Sequence, residues 1–166
     1  AGPVDNTDTG ISYPTIQAAV DATLTDDGHT ITVAAGSYDE TVRVDKDLTL
    51  NGPNVGTPGA GSRNAEATIE GQVIVTASGA TFDGFEVVPP PATSNDTGEA
   101  IRVSNTPNDD APDDVTIQNN IVRDVEETTS VPNFEGLEGI VAFGGDATDA
   151  IQNVTITNNR IQNIQG

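Results

Sequence analysis

Short segments in which apolar and polar residues alternate recur along most of the chain. They cover residues 30–33, 42–44, 48–50, 67–69, 73–75 and 80–87. Alternation with a period of two predicts strands that bury one face. Gly, Pro and Asn are concentrated between these segments, as in residues 53–65, and this composition predicts loops.

One of these patterns is written twice. The sequence VTIQNNIV of residues 115–122 returns as VTITNNRI in residues 154–161, so that Val115 corresponds to Val154. The same offset carries EAIRV of residues 99–103 onto EGIVA of residues 138–142. Two different strand-like segments that share one offset indicate a repeating structural unit. An antiparallel sandwich also contains many short strands, but it does not predict one offset for both segments.

Alignment of the repeats places apolar residues in columns that are predicted to point inward. The columns are Val42, Val73, Ile101 and Ile140; Val44, Val75, Val103 and Ala142; and Leu50, Phe82, Ile117 and Ile156. Strands stacked in this register predict an all-β fold, a right-handed parallel β-helix of about four coils. Each coil would bury the apolar face of its neighbours, at an interstrand spacing of about 4.8 Å.

The two ends of the chain differ from this pattern. Residues 1–13 predict an irregular lead-in, and Ile16, Ala19, Val20 and Leu24 form one face of a helix after Pro14, so residues 14–28 predict a capping helix. The β-helix is predicted for residues 29–166. Because Ile161 and Ile164 still follow the strand pattern, we expect it to continue beyond residue 166. Further coils, a capping domain or another subunit would then cover the last coil.

The charge balance restricts the choice of partners. The chain has 26 acidic and 6 basic residues, a net charge of −20, and Lys46 is its single lysine. Nucleic acid is disfavoured as a partner because phosphate binding needs a basic surface. The acidic, Lys-poor balance resembles that of proteins from extreme halophiles. No apolar run is long enough to form a transmembrane segment. The start at Ala1, without Met, is interpreted as a mature N-terminus after signal cleavage, which predicts an extracellular or cell-surface protein.

Several segments resemble a known superfamily. The segments PTIQAAV (residues 14–20), ITVAAGSYDE (31–40) and LTLNG (48–52) resemble the N-terminal part of pectin-lyase-like β-helix proteins. The two VTIxNN segments look like the carbohydrate-binding and sugar-hydrolase (CASH) repeats of that superfamily. The resemblance implies that the helix near residues 14–24 plugs the first coil. It does not imply one activity, because the superfamily includes lyases, hydrolases, esterases, adhesins and proteins without known catalysis.

The catalytic motifs of two enzyme groups in this superfamily are missing. The Asn-Thr-Asp, Asp-Asp, His-Gly and Arg-Ile-Lys set of polygalacturonases is absent, and so are the Gln and paired Asp segments of pectin methylesterases. His29 is the only histidine and there is no cysteine, so neither a nucleophilic triad nor a usual zinc site can be built. We therefore expect a non-catalytic segment. The alternative is a polysaccharide lyase or glycoside hydrolase that acts on an acidic polysaccharide; the hydrolase would need a carboxylate pair beside the scissile bond.

The strand alignment also predicts a binding surface. One outward row reads Arg43, Ile74, Arg102 and Val141, with loops 87–98 and 126–137 on one side and loops 104–114 and 143–153 on the other. Guanidinium groups bind carboxylates bidentately, so a polysaccharide or cell-surface glycan with acidic groups is the expected ligand. Glu99 and Glu138 lie beside this row and either belong to the site or form ion pairs with its arginines. The leading interpretation is a surface module with a structural, adhesive or glycan-binding role.

The remaining candidates are polar loop residues. Asp109, Asp110, Asp113 and Asp114 offer the oxygen ligands that Ca²⁺ prefers, or they form a solvated acidic loop; no cofactor is expected to be required. The pairs Asn119/Asn158 and Asn120/Asn159 either bind sugar or a cation, or form left-handed turns with stacked amides, which is the favoured interpretation. Asn95 and Asn153 begin glycosylation sequons, which are relevant in an exported chain.

Overall fold

The computed structural model describes residues 3–92, 98–105, 111–126, 136–144 and 150–165. Short strands dominate, and one helix precedes most of them. The elements are β1 Val4–Asn6, β2 Ile11–Tyr13, α1 Ile16–Asp21, β3 Thr30–Val33, β4 Gly36–Tyr38, β5 Val42–Val44, β6 Thr49–Asn51, β7 Ala67–Ile69, β8 Val73–Val75, β9 Thr81–Asp83, β10 Glu86–Val87, β11 Gly98–Ser104, β12 Thr116–Gln118, β13 Ile121–Glu126, β14 Leu137–Phe143, β15 Thr155–Thr157 and β16 Arg160–Gln165.

From β3 onward the chain winds into a parallel β-solenoid with three strands in each coil. The first sheet contains β3, β6, β9, β12 and β15 together with β1 and β2; the second contains β4, β7, β10, β13 and β16; the third contains β5, β8, β11 and β14. Strands β3–β14 therefore form four coils, and β15 and β16 begin the next one. The predicted parallel β-helix is confirmed.

The registers confirm the three predicted inward columns. Ile101 pairs with Val73 and with Ile140, and Ile117 pairs with Phe82 and with Ile156. The inward residues of the first three coils are buried and form one continuous apolar core. The thin layers of Val, Ile, Leu and Ala account for a core that needs few aromatic residues; Phe82 and Phe85 stack with their ring centroids 4.3 Å apart.

Left-handed residues recur at the corners of the last coils. Residues that occupy equivalent positions in successive repeats share this conformation, with φ between 55° and 58°, in the pairs Asp114/Asn153, Asn119/Asn158 and Asp124/Asn163. Asn and Asp tolerate this conformation because their short side chains can bond to the local backbone. One coil earlier, glycine occupies the positions equivalent to Asp114 and Asn119: Gly79 and Gly84 have φ of 79° and 83°. The interpretation of Asn119 and Asn158 as turn residues is confirmed.

The N-terminal lead-in differs from the prediction. Residues 1–13 were expected to be irregular, but β1 and β2 form antiparallel strands on the first sheet, and β1 pairs with β3. β1 has only three residues, of which the first and the last, Val4 and Asn6, are buried. The sequence therefore carries only a weak strand signal there. Asn6 Oδ1 accepts hydrogen bonds from the N–H groups of Asp8 and Thr9, which turns the chain between the strands.

The helix is shorter than the predicted element of residues 14–28, because it spans only Ile16–Asp21. The first N–H groups of the helix, those of Ile16 and Gln17, donate hydrogen bonds to the Glu40 carboxylate at 2.9 and 2.8 Å. Ile16, Ala19 and Val20 are buried as predicted, whereas Leu24 lies beyond the helix and is 58% exposed. The helix contacts β1, β2, β3 and β5, so it covers the first coil.

The Lys46 ammonium closes the other end of the helix. Its Nζ donates to the carbonyls of Val20, Ala22 and Thr25 at 2.8, 3.2 and 2.8 Å. A cation is favourable there because the last carbonyl groups of a helix carry a partial negative charge. The single lysine of the chain therefore has a structural role.

The last strands expose apolar side chains. Ile156, Ile161 and Ile164 are 46%, 48% and 39% exposed, although their equivalents one coil earlier, Ile117, Val122 and Val125, are buried. The reason is that, among the described strands, β15 and β16 each have a neighbouring solenoid strand on one side only.

Threonine occupies one outward position in every solenoid strand of the first sheet. The registers stack Thr30, Thr49, Thr81, Thr116 and Thr155, which follow one another at unequal intervals along the chain. In-register carboxylates would repel one another at this position, whereas stacked threonines interact favourably. The threonine column therefore avoids stacked carboxylates at this position of an acidic solenoid.

Candidate functional site

The strongest candidate site is the outer surface of the third sheet. Its central row contains Arg43, Ile74, Arg102 and Val141 in one register, as the sequence predicts. The residues between them point to the core, so this row faces outward. Phe143 lies two residues after Val141 and is 47% exposed. We call these five residues the arginine face.

Arg43 presents an unengaged guanidinium group. The residue is exposed, and its side chain forms no ion pair or hydrogen bond with the described part of the chain. Its backbone is fixed by Gln17 of α1, whose Oε1 accepts from Arg43 N at 2.7 Å and whose Nε2 donates to Arg43 O at 3.2 Å. The backbone of Arg43 is therefore held in place, while its guanidinium group extends from it without a partner in the described part of the chain.

Arg102 is held more firmly. Its Nη1 lies 3.4 Å from Glu99 Oε2, and its guanidinium carbon lies 5.8 Å from the centre of the Phe143 ring. The Arg102 side chain is 33% exposed and that of Glu99 only 4%. Arg102 Nε is buried and has no hydrogen-bond partner among the described residues. Glu99 and Phe143 therefore orient the guanidinium group, and these contacts do not use all of its N–H donors.

The two glutamates that the sequence singled out have different positions. Glu99 is paired with Arg102, which confirms ion pairing for this residue and leaves its carboxylate little access to a ligand. Glu138 lies opposite Glu99 in the register of β11 and β14 and is exposed. Its carboxylate is not within ion-pair distance of Arg102 among the described contacts. Glu99 is thus a positioning residue, and Glu138 borders the surface.

Two other arginines lie away from the arginine face, and one of them, Arg63, has an internal role. The Arg63 side chain is 5% exposed; it forms an ion pair with Glu66 and donates to the backbone oxygens of Thr57, Asn119 and Phe85. It thereby ties the loop of residues 53–65 to neighbouring coils. Arg160 is exposed, but it lies on the second sheet, away from the arginine face.

Arg123 forms an ion-pair cluster on the outside of the second sheet. It contacts Glu86 at 2.7 Å and also pairs with Asp124. Burial raises the pKa of Glu86, but hydrogen bonds from Arg123 and Thr68 outweigh that effect, so the net pKa is lowered. The hydrogen bond to Glu86 is the main cause that raises the pKa of Arg123. Hydrogen bonds from Asn163 and Arg123 lower the pKa of Asp124.

The flanking loops stack as expected at their described ends. Ala92 N donates to Glu126 O at 2.8 Å across the first pair of loops, and Asp114 N donates to Gln152 O at 3.1 Å across the second. The central parts of these loops, 93–97 and 127–135 on one side and 106–110 and 145–149 on the other, lie outside the described residues.

The acidic loop is partly described. Asp109 and Asp110 lie outside the described residues. The Asp113 carboxylate accepts from Gln152 N at 2.7 Å, which joins two coils, and Asp114 is exposed with a left-handed backbone. Within the described ranges no three acidic or histidine side chains are grouped as metal ligands. The described contact of Asp113 is therefore structural.

Asn120 and Asn159 form an internal amide stack. Asn120 Nδ2 donates to Phe82 O and Asn159 Oδ1, and Asn159 Nδ2 donates to Ile117 O. Asn120 Oδ1 accepts from Phe85 N at 2.9 Å. These bonds confirm the structural interpretation of the repeated asparagines.

The other candidates lie apart from the arginine face. Asn153, the first residue of one sequon, is exposed at the corner before β15, whereas Asn95 lies outside the described residues. His29 Nδ1 accepts from Asp26 N at 3.3 Å and lies 3.1 Å from Asn6 Nδ2, so it supports a turn. A concavity of about 410 Å³ lies beside β1, β3 and β6, where Asp5, Thr32 and Pro53 line it.

The fold and the site together define an acidic parallel β-solenoid with an outward row that contains two arginines. No family model matches the chain, and no solved structure matches it. A cell surface glycoprotein of Methanothermus fervidus is 31% identical over 88 residues, which cover 53% of this chain. The chain spans only 14% of the length of that relative. Among the described helices, none is long and apolar enough to cross a membrane.

Proposed function

We propose that this chain is a cell-surface β-solenoid module that binds acidic glycans on its arginine face. The observation that carries the proposal is the shared outward row of Arg43 and Arg102 on a molecule with a net charge of −20. The similarity to a protein named as a cell surface glycoprotein supports the location. The same location makes a glycan an available ligand.

The spacing of the arginines suits an extended chain of sugars. Arg43 on β5 and Arg102 on β11 are separated by β8, which is two interstrand spacings or about 10 Å. A chain that crosses the strands would meet both guanidinium groups. Each can form a bidentate pair with a carboxylate or sulfate. Ile74 lies between them, and Phe143 adds an exposed apolar ring against which a sugar ring can pack.

The surrounding charge makes the binding dependent on salt in an unusual direction. The net charge of −20 repels an anionic polymer at long range. Salt shortens the range of this repulsion, to a screening length of about 3 Å in 1 M salt. Direct contacts with the arginine face are screened less because they are short. We therefore expect affinity to rise from dilute buffer to moderate salt, the opposite of binding to a basic protein.

The test is binding of uronic-acid and sulfated oligosaccharides on a glycan array, followed by titration of the best binder. Arg43→Ala with Arg102→Ala should weaken binding at least tenfold, since a charged hydrogen bond contributes about 1.5–3 kcal/mol and a tenfold change is about 1.4 kcal/mol. Arg160→Ala is the matched control, because it removes an exposed arginine from another sheet.

Two outcomes would change the assignment. Equal binding by the wild type and the double variant would refute the role of the arginine face. Release of new reducing ends or unsaturated sugars during the titration would instead support the alternative of a polysaccharide-cleaving enzyme.

A further inference from the structure

We infer that Asn153 is an acceptor for an N-linked glycan at the corner that precedes β15. This inference rests on the proposed surface location, because an exported chain meets the glycosylation machinery. The acceptor motif is Asn153-Val154-Thr155, in which the hydroxyl at the third position is required. Three structural observations support the site beyond the motif.

The first observation is the free side chain of Asn153. The residue is exposed, and its amide forms no hydrogen bond within the described part of the chain. The amides of Asn119, Asn120 and Asn163, by contrast, bond to neighbouring coils. A glycan on Asn153 would therefore replace no structural hydrogen bond.

The second observation is the stable backbone around the acceptor. Asp113 Oδ1 accepts from Gln152 N at 2.7 Å, and Thr155 N donates to Val115 O at 2.8 Å. Asn153 itself has φ of 55°, and the equivalent residue one coil earlier, Asp114, is also exposed with φ of 58°. The chain is thus fixed on both sides of a corner that faces solvent, and the fold need not move to carry a glycan.

The third observation is the state of Thr155. It is exposed at the start of β15, and its hydroxyl forms no hydrogen bond with the described residues. The hydroxyl that recognition requires is therefore available. Nearby Val154 packs against the apolar core, so the tripeptide is anchored by its middle residue.

The structure also supplies a matched control in Asn158. This residue is exposed, has φ of 55° and forms no side-chain hydrogen bond within the described chain. It differs in that Arg160 occupies the third position, so no sequon is present. Any general reactivity of left-handed corner asparagines would affect both residues, whereas enzymatic glycosylation would select Asn153.

The experiment offers the purified, folded chain to an oligosaccharyltransferase with a lipid-linked oligosaccharide. An Asn95→Gln background removes the other sequon, and intact mass with peptide mapping reads the product. We expect one glycan on Asn153, lost in Asn153→Gln and in Thr155→Val, and retained in Asn158→Gln. Melting curves of the variants verify that each is folded. An unmodified folded chain, under conditions that modify a short peptide with the same sequon, would overturn the inference.

A second measurement separates this inference from the proposed function. The chain is recovered from its own cells, and its location and mass are determined. A surface-located chain without a glycan on Asn153 would overturn the inference and leave the proposed function intact. A chain that stays in the cytoplasm would refute the proposed function, and the enzymatic assay would still decide whether Asn153 is an acceptor.

Discussion

Replacement of Asn120 by alanine tests how the coils are held together. The Asn120 side chain is fully buried, and its amide satisfies the N–H of Phe85 and the C=O of Phe82 while it stacks on Asn159. Asn120→Ala removes these bonds. The buried Phe85 N–H is left without its partner, whereas Phe82 O remains part of the ladder between β9 and β12. Asn120 is 0% exposed, so the bulk solvent does not reach these groups directly.

The expected loss follows from the cost of the unsatisfied Phe85 N–H and from the lost hydrogen bond to Phe82 O. The unsatisfied N–H costs about 1–3 kcal/mol and the lost bond about 1 kcal/mol, so the free energy of unfolding should fall by about 2–4 kcal/mol. For a chain of this size, about 1 kcal/mol corresponds to about 2–4 °C in the melting temperature, which predicts a fall of about 4–16 °C. Asn159→Ala should cost less, because Asn159 is only half-buried.

The assay is thermal and denaturant unfolding in molar KCl, with Asn158→Ala as the control. Asn158 is an exposed corner residue, so its replacement should cost only the preference for a left-handed backbone, about 1 kcal/mol. A double-mutant cycle between Asn120 and Asn159 should show a coupling of about 0.5–3 kcal/mol. Equal losses for Asn120→Ala and Asn158→Ala would refute the role of the amide stack.

Three other predictions concern charge. The melting temperature should rise from dilute buffer to molar KCl, because salt screens the repulsion among carboxylates at a net charge of −20; an unchanged value would contradict this reasoning. Lys46→Met should cost about 1–3 kcal/mol in denaturant unfolding, since three carbonyls lose a charged donor, and a loss below about 0.5 kcal/mol would count against that role. Glu86→Gln should lower stability by about 1 kcal/mol at pH 7. Because the pKa of Glu86 is lowered below its ordinary value of 4.5, this difference should be fully present above pH 4.5 and vanish as pH falls through the folded-state pKa; a difference that persists in acid would exclude the charge as its cause.

The repeat made most of the fold predictable. The constant offset between the two copies and the period of two determined both the inward columns and the outward row of Arg43 and Arg102. Short elements were missed where polar residues interrupt the apolar pattern, as in β1, which pairs with β3 through backbone groups. The extent of the helix was overestimated because Leu24 extends the helical spacing although the chain has already turned.

The site was predictable in its register and not in its contacts. The alternation of β5 and β11 gives the direction of Arg43 and Arg102, whereas the burial of Glu99 and its ion pair with Arg102 depend on tertiary packing that the alternation does not encode. The contact of Arg102 with the Phe143 ring joins two coils, and no local sequence pattern predicts it. The threonine column was also missed, because its members follow one another at unequal intervals and become equivalent only in the folded register.

The central claim is that an acidic glycan binds to Arg43 and Arg102 together. The most direct measurement is an NMR titration of the arginine Nε–H resonances with a uronic-acid oligosaccharide long enough to reach both guanidinium groups. The resonances of Arg43 and Arg102 should shift together, with one dissociation constant, while that of the distant Arg160 stays in place. Saturable binding that shifts other resonances and leaves both Arg43 and Arg102 unchanged would contradict the claim.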